Sequence, residues 1–218
     1  MNKTLEYIQK KFNLDPGGQL PIRIKTSRRT GFLELFKELG FKVGAEIGVA
    51  DGRYSKFLCS KIKGLKLFCI DPWKAYGDYV EQHDEAGQVI LTTNFEEAKK
   101  RLAPFNCEFI RKYSMDAVKD FKDESLDFVF IDGNHSFHYV INDIAEWSKK
   151  VRSGGIVAGH DFWTSSEKMY SLAYVPTRDE EIRLCQVKDA VLGWTKANEI
   201  KPWFVVIGDK CPSWFWVK

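Results

Sequence analysis

The stretch that decides the fold is KVGAEIGVADGRYSKFLCSKIKGLKLFCID, residues 42–71. It begins with an apolar run that predicts a buried strand, and a turn of small residues follows at 48–52. A helical pattern of apolar residues comes next, and a second apolar run, 65–70, leads directly to Asp71. A strand, a glycine turn, a helix and a second strand that ends in an acid are typical of the first half of a nucleotide-binding sheet.

The turn and the acid indicate a ligand that contains a nucleoside. Gly48 and Gly52 let the backbone leave the strand sharply, and they let a ligand approach without a Cβ in its way. Asp71 is placed to accept hydrogen bonds from both hydroxyls of a ribose. The glycine spacing differs from the G-x-G-x-x-G of dinucleotide sites, and the carboxylates of Glu46 and Asp51 would repel a pyrophosphate. The residues therefore favour a ligand with an amino group and a sulfonium.

The segment AEIGVADGRYS, residues 45–55, resembles the first motif of class I S-adenosylmethionine-dependent methyltransferases. In that family an acid closes the first strand, glycines follow it, and a second acid ends the next strand. Ala50 departs from the pattern, since a glycine is common at its place. An ordinary αβ turn that contains a glycine is the alternative interpretation. The resemblance implies that the cofactor is bound by Glu46, Gly48, Val49, Gly52 and Asp71.

Polar residues also follow two later apolar runs. Asp132 and His135 stand at the end of the run LDFVFID, 126–132, and His160 with Asp161 follows the next run. Because the carboxyl ends of neighbouring parallel strands meet at one edge of a sheet, these side chains should converge. Two carboxylates and a histidine could hold Mg²⁺ or Mn²⁺, and a neutral imidazole could take a proton from a hydroxyl. An inert loop cap at Asp132 and a hydrogen-bonded, inert His135 are the alternatives.

The run IDGNHSFHYVINDIAEWSKKVRSGGIVAGHDF, residues 131–162, resembles the macrocin type of methyltransferase, which methylates sugar hydroxyls in natural products. The resemblance implies that His135 is the general base and that Asp132 and Asp161 complete the catalytic set. It also implies metal ligation by Asp132, His160 and Asp161, and a cofactor contact from Asp132. His160 stands where the sugar enzymes carry an acid, and imidazole suits Mn²⁺ or Fe²⁺ better than Mg²⁺. The implied acceptor is a carbohydrate or another small hydroxylated metabolite.

Further candidate ligand contacts follow the second and third predicted strands. Trp73, Tyr76 and Tyr79 come after the second strand, where packing is the alternative role. Ser114 and Met115 come after the third strand, and the methyltransferase resemblance places the adenine of the cofactor beside them.

The chain as a whole predicts an α/β fold. The sheet should be Rossmann-like, doubly wound and mostly parallel, with about seven strands and an antiparallel C-terminal hairpin. Residues 1–40 are predicted to be a helical extension with an extended loop at 17–27, covering a sheet edge or the cleft or forming an oligomer contact. Residues 41–218 are predicted to be the methyltransferase domain, with lid or insertion segments at about 72–90 and 162–186. A helix is predicted at 94–102.

Composition limits the classes of protein. The length of 218 residues suits one α/β domain, and a net charge of +3 with scattered Lys and Arg gives no reason to expect nucleic acid or a membrane as partner. Five cysteines without CxxC spacing predict free thiols in a reducing compartment, and the N-terminus carries no signal-like apolar run, so a cytoplasmic location is expected. A nicotinamide-dependent oxidoreductase and a non-catalytic nucleotide-binding module are the rival functions.

Overall fold

The computed structural model describes residues 2–15, 17–75, 85–164 and 185–218. Its helices are α1 Lys3–Phe12, α2 Leu33–Glu38, α3 Arg53–Lys61, α4 Glu85–Leu102, α5 Ser114–Ala117, α6 Phe137–Lys150 and α7 Val187–Ala197. Its strands are β1 Ile22–Ile24, β2 Val43–Ile47, β3 Lys66–Ile70, β4 Cys107–Ile110, β5 Leu126–Ile131, β6 Val151–Gly159, β7 Trp203–Val206 and β8 Ser213–Val217. A π-helical turn, Arg28–Phe32, precedes α2, and a 3-10 turn, Val118–Asp120, follows α5.

The strands in these described ranges form one sheet in the order β1-β7-β8-β6-β5-β2-β3-β4. β8 runs antiparallel to its neighbours β6 and β7, and every other neighbouring pair is parallel. The predicted Rossmann-like sheet with an antiparallel C-terminal hairpin is therefore confirmed. The chain runs outward from β2 through β3 to β4 and then returns to β5 on the other side of β2. The crevice at the carboxyl ends of β2 and β5 is thus the topological switch point, where ligands bind in open α/β sheets.

The sheet has eight strands in the described residues, one more than predicted. The additional strand is β1, which pairs in parallel with β7 and lies inside the segment 17–27 that the sequence predicts as a loop. Ile22 and Ile24 point into the core while Arg23 is exposed, so β1 covers the edge of β7 with its apolar side. Three residues are too few for an alternating pattern to be recognised in a sequence.

The N-terminal segment packs on one face of the sheet. The ring of Phe36 stacks on that of Phe128 in β5 with centroids 4.5 Å apart, and the ring of Phe32 lies 4.9 Å from that of Phe215 in β8. The Thr4 hydroxyl donates a hydrogen bond to the Gly154 carbonyl at 2.7 Å. Burial of each phenylalanine contributes roughly 1.5–3 kcal/mol, so this segment shares the hydrophobic core of the sheet.

The opposite face is covered by α5, α6 and α7, and the apolar stripe of α6 (Val140, Ile144 and Trp147) is fully buried there. The two predicted lid segments are only partly described. α4 begins at Glu85, nine residues before the predicted helix, so the end of the first lid is helical. Tyr76, Tyr79 and most of the predicted segment 162–186 lie outside the described residues. Within the described ranges, no helix is long and apolar enough to cross a membrane.

Candidate functional site

The turn after β2 brings two backbones into close contact at Gly48. This residue has a φ of +84°, and a Cβ on it would overlap the carbonyl oxygen of Asp132 and the Cα of Gly133. The amide of Asp132 donates a hydrogen bond to the Ile47 carbonyl at 2.7 Å, so the loops after β2 and β5 are held against each other. Only glycine fits here without moving β2 away from β5.

Asp71 fixes the conformation of the same turn. Its Oδ2 accepts hydrogen bonds from the backbone N–H groups of Val49 and Ala50 at 3.0 Å each, and its Oδ1 accepts one from the N–H of Trp73 at 2.7 Å. Burial raises the pKa of Asp71, and the three N–H donors oppose that effect. A carboxylate can accept about four hydrogen bonds, so Asp71 keeps capacity for one ligand hydroxyl.

Four of the predicted cofactor residues support the turn from behind it. Glu46, Val49, Gly52 and Trp73 lie outside the cavity lining that the described residues form. Trp73 is fully buried, and its indole Nε1–H donates to the Ala50 carbonyl at 2.8 Å. Gly52, with a φ of +76°, stands at the start of α3 and approaches α4 closely. These residues shape the turn and do not themselves face the cavity.

Glu46 is a buried acid at the end of β2. Its carboxyl group accepts a hydrogen bond from the Ser55 hydroxyl of α3. Burial raises the pKa of Glu46 to about 8, and the hydrogen bond from Ser55 offsets only part of that rise. The side chain is therefore mostly protonated at neutral pH, and it links β2 to the first turn of α3.

Replacing Glu46 with glutamine should remove a pH dependence of stability. The pKa of Glu46 in the folded state, about 8, lies above the unfolded value of about 4.3, so the folded state binds more protons and the wild type should lose stability as pH rises from about 4 to 8. Thermal unfolding should find Glu46→Gln similar to wild type near pH 5 and more stable by roughly 4 kcal/mol near pH 9.

The matched control for this prediction is Glu108→Gln, which changes an exposed glutamate on β4. Its difference from wild type should stay small and constant across the same pH range. A constant difference for Glu46→Gln as well would contradict the assignment of Glu46 as a buried, protonated acid.

A cavity of about 440 Å³ opens at the carboxyl ends of β5, β2, β3 and β4. Its lining includes five of the predicted site residues, namely Gly48, Asp71, Ser114, Met115 and Asp132. It also includes Leu91 and Asn94 of α4 and Tyr139 and Asp143 of α6, which the sequence does not mark as site residues. Leu91 lies before the helix predicted at 94–102, and an apolar pattern along α6 does not show which polar side chains of that helix face a cavity.

The structure brings Asp132, His135, His160 and Asp161 together at the ends of β5 and β6. His135 Nε2 lies 3.7 Å from Asp132 Oδ1 and 3.6 Å from Asp161 Oδ2. His160 Nδ1 lies 3.5 Å from Asp132 Oδ1 and 3.2 Å from Asp161 Oδ1. Burial alone would raise the pKa of Asp132, but His160 and His135 hold it well below its usual range. The Asp132 carboxyl group is therefore ionised at neutral pH.

Arg28 adds a cation beside this cluster. Its Nη1 lies 3.5 Å from Asp132 Oδ2, and its guanidinium lies 4.4 Å over the ring of Tyr54. Its backbone N–H donates to the carboxylate of Asp209 in the β7–β8 loop. Nothing in the sequence marks Arg28, because it reaches the cluster only through the packing of the N-terminal segment.

Two overlapping groups of side chains in the described residues have their potential ligand atoms within 4.8 Å of one another. One is Asp132, His135 and Asp161, and the other is His160, Asp161 and Cys211. Asp161 belongs to both groups. The predicted metal ligands Asp132, His160 and Asp161 are thus divided between the two groups, with Asp161 in common.

Comparisons with known proteins identify the family and the fold of the chain. The family described as "Methyltransferase domain" matches residues 45–162. A search of curated protein sequences finds no match to the chain.

Solved structures share the fold over nearly the whole chain. A Staphylococcus aureus protein provisionally described as a caffeoyl-CoA O-methyltransferase has a TM-score of 0.64 at 15% identity, covering 99% of this chain and 91% of that one. The O-methyltransferase TomG from Streptomyces achromogenes is involved in tomaymycin synthesis and was solved with S-adenosylmethionine. Its TM-score is 0.59 at 16% identity, covering 100% of this chain and 91% of that one. An O-methyltransferase from Bacillus cereus, solved with S-adenosylhomocysteine, has a TM-score of 0.55 at 18% identity, covering 100% of this chain and 92% of that one.

Proposed function

Because the chain belongs to the methyltransferase-domain family that matches residues 45–162, we propose that it transfers a methyl group from S-adenosylmethionine to a hydroxyl oxygen of a small polar acceptor, such as a carbohydrate. One observation carries the proposal. The cavity runs along the carboxyl edge of the sheet from Ser114 past Asp71 and Gly48 to Asp132. This order suits a ligand whose base, ribose, amino-acid part and reactive methyl follow one another.

The lining of the cavity fits S-adenosylmethionine. A volume of about 440 Å³ is within the usual range for small-molecule sites. Gly48 permits close approach of the amino-acid part to the backbone, and Asp71 can accept a hydrogen bond from a ribose hydroxyl. Ser114 and Met115 adjoin the place of the base. In this proposal Glu46, Val49, Gly52 and Trp73 act on the cofactor through the shape of the turn.

His135 would serve as the general base. Its imidazole takes the proton of the acceptor hydroxyl, the oxygen forms a bond to the methyl carbon, and the bond between that carbon and the sulfonium sulfur breaks. S-adenosylmethionine supplies the electrophilic methyl group. Asp132 and Asp161, each within 3.7 Å of His135 Nε2, stabilise the imidazolium and orient the acceptor. Alignment of the two reactants supplies much of the remaining rate.

A divalent cation would be held in this proposal by Asp132, His160 and Asp161. His160 Nδ1 lies 3.5 Å from Asp132 Oδ1 and 3.2 Å from Asp161 Oδ1, and Asp161 belongs to both groups of side chains whose ligand atoms lie within 4.8 Å of one another. The imidazole favours Mn²⁺ over Mg²⁺. Such an ion would lower the pKa of an acceptor hydroxyl. Arg28 already brings positive charge to Asp132 and would act in the same direction without a metal.

A transfer assay tests the proposed function. The purified protein is incubated with S-adenosylmethionine and a panel of sugars, nucleotide sugars, phenols and amines, and the formation of S-adenosylhomocysteine is measured. We expect turnover with a hydroxylated acceptor, a loss of rate with EDTA and better recovery with Mn²⁺ than with Mg²⁺. Turnover with amines alone would contradict oxygen as the acceptor atom, and a full rate in EDTA would assign the role of the cation to Arg28.

A further inference from the structure

Three of the five cysteines lie close together, on the face of the sheet that α3 covers. Cys107 begins β4 and pairs with Leu67 of β3, so Cys69, two residues farther along β3, points to the same face as Cys107. Cys59 belongs to α3, and its Sγ lies 3.5 Å from the Sγ of Cys107. The fold therefore brings into contact two thiols that are 48 positions apart in the chain.

The three thiols differ in their access to solvent. Cys69 is fully buried and Cys59 is 8% exposed, whereas Cys107 is half-buried. In the described residues β4 is the last strand at its end of the sheet, and Cys107 is its first residue. A small reagent in solution therefore reaches Cys107 before the other two thiols, and Cys59 is placed to react with whatever becomes attached to it.

The neighbouring thiols also favour the reactive form of Cys107. The thiolate is the nucleophile in reactions of cysteine. Hydrogen bonds from Cys59 and Cys69 lower the pKa of Cys107, and its partial burial opposes that effect. The same hydrogen bonds raise the pKa of Cys59 and the pKa of Cys69, so these two thiols stay protonated. The cluster thus combines one thiolate with two S–H donors.

We infer that Cys107 is an oxidation-sensitive modification site and that Cys59 is its resolving thiol, so that a low-molecular-weight disulfide converts the pair into a disulfide between α3 and β4. The Cys107 thiolate attacks one sulfur of the oxidant, which forms a mixed disulfide and releases half of the oxidant. Cys59 then attacks the Cys107 sulfur and expels the other half. Two protein thiols are oxidised, the oxidant is reduced to two small thiols, and these take up the two protons that the cysteines lose.

This site is separate from the proposed methyl-transfer site. Cys107 is at the amino end of β4, whereas the cavity opens at the carboxyl ends of the strands. The inference therefore does not rest on the proposed function. The disulfide would nevertheless act on the turn after β2, because α3 begins directly after Gly52 of that turn and would be tied to the edge of the sheet.

The test is incubation of the full, reduced chain with glutathione disulfide at neutral pH, followed by acid quenching, alkylation of the remaining thiols and peptide mapping by mass spectrometry. The first product should be a peptide pair that joins Cys59 to Cys107. In Cys59→Ser the reaction should stop with one glutathione attached to Cys107. In Cys107→Ser the oxidation of Cys59 should be at least about tenfold slower, because its thiol is protonated and less accessible.

The matched control is Cys211→Ser, which removes another half-buried thiol and should keep both the product and its rate of formation. The wild-type map decides the question even if a variant fails to fold. Modification of Cys211 while Cys107 stays reduced would overturn the inference, and so would a product that joins Cys69 to Cys107 in place of Cys59. Either result would leave the proposed function intact.

Discussion

Replacing His135 with alanine should lower kcat for methyl transfer by about 10²–10⁴-fold, the usual contribution of a general base. The Kd for S-adenosylhomocysteine should stay within about threefold of wild type, because His135 lies outside the cavity lining that the described residues form. The loss should therefore appear in the chemical step. Steady-state kinetics with the best acceptor and calorimetric titration with S-adenosylhomocysteine measure the two quantities.

The matched control is His138→Ala, one residue beyond the start of α6. His138 is exposed, and its ring lies 4.2 Å from that of its neighbour Tyr139. We expect kcat within about threefold of wild type, since the side chain has no place in the cluster. A His135→Ala enzyme with near-wild-type kcat would remove His135 from the mechanism and leave the fold and the cofactor site unaffected.

Replacing Gly48 with alanine should weaken S-adenosylhomocysteine binding by more than about 100-fold and lower the free energy of unfolding by roughly 3 kcal/mol. The added Cβ would overlap backbone atoms of Asp132 and Gly133 at a φ of +84°. Backbone atoms cannot rotate away as a side chain can, and the hydrogen bond of 2.7 Å between Asp132 and Ile47 holds them in place. The turn must therefore change shape, and the cofactor contacts change with it. Calorimetric titration and chemical unfolding measure the two effects.

The control Gly64→Ala separates two effects of an added Cβ, its overlap with neighbouring backbone atoms and the cost of a left-handed backbone conformation. Gly64 has a φ of +77°, and a Cβ on it would meet nothing within 4 Å. This variant should lose about 1 kcal/mol of stability from the left-handed conformation and keep wild-type binding. If both glycine variants bound S-adenosylhomocysteine as wild type does, the turn after β2 would not be the cofactor site.

The fold was predictable because its parallel strands are buried and therefore apolar throughout. β5 is an example, since five of its six residues are buried and its acid Asp132 follows at once. The same reasoning placed Asp132, His135, His160 and Asp161 near one another, because the carboxyl ends of neighbouring strands share an edge. Strand β1 was not predicted because three residues are too few to show an alternation of apolar and polar side chains.

The sequence could not tell which side chains of the turn face the ligand. Trp73 has a φ of 42°, which turns its indole beneath the loop, and no pattern of residues encodes that rotation. Arg28 reaches Asp132 through contacts between segments far apart in the chain. Asp143 stands beside an apolar stripe, and a hydrogen bond from Ser114, which itself accepts one from Trp147, holds its side chain. These features arise from tertiary packing and not from local periodicity.

Of the rival functions, a nicotinamide-dependent oxidoreductase is not favoured. The family match covers residues 45–162, which include the glycine turn and both acid-bearing strand ends. A non-catalytic binding module would use the same turn but would have no need of the cluster around His135. The kinetic comparison of His135→Ala with His138→Ala distinguishes a non-catalytic binding module from an enzyme that uses His135.

The most direct test of the cofactor site is calorimetric titration of the unaltered protein with S-adenosylhomocysteine, with NADH titrated in parallel. We predict saturable binding of S-adenosylhomocysteine in the micromolar range, about 8 kcal/mol of binding free energy, and no heat of binding with NADH. Saturable binding of NADH with none of S-adenosylhomocysteine would contradict the assignment of the cavity between Ser114 and Asp132 as a methyl-donor site.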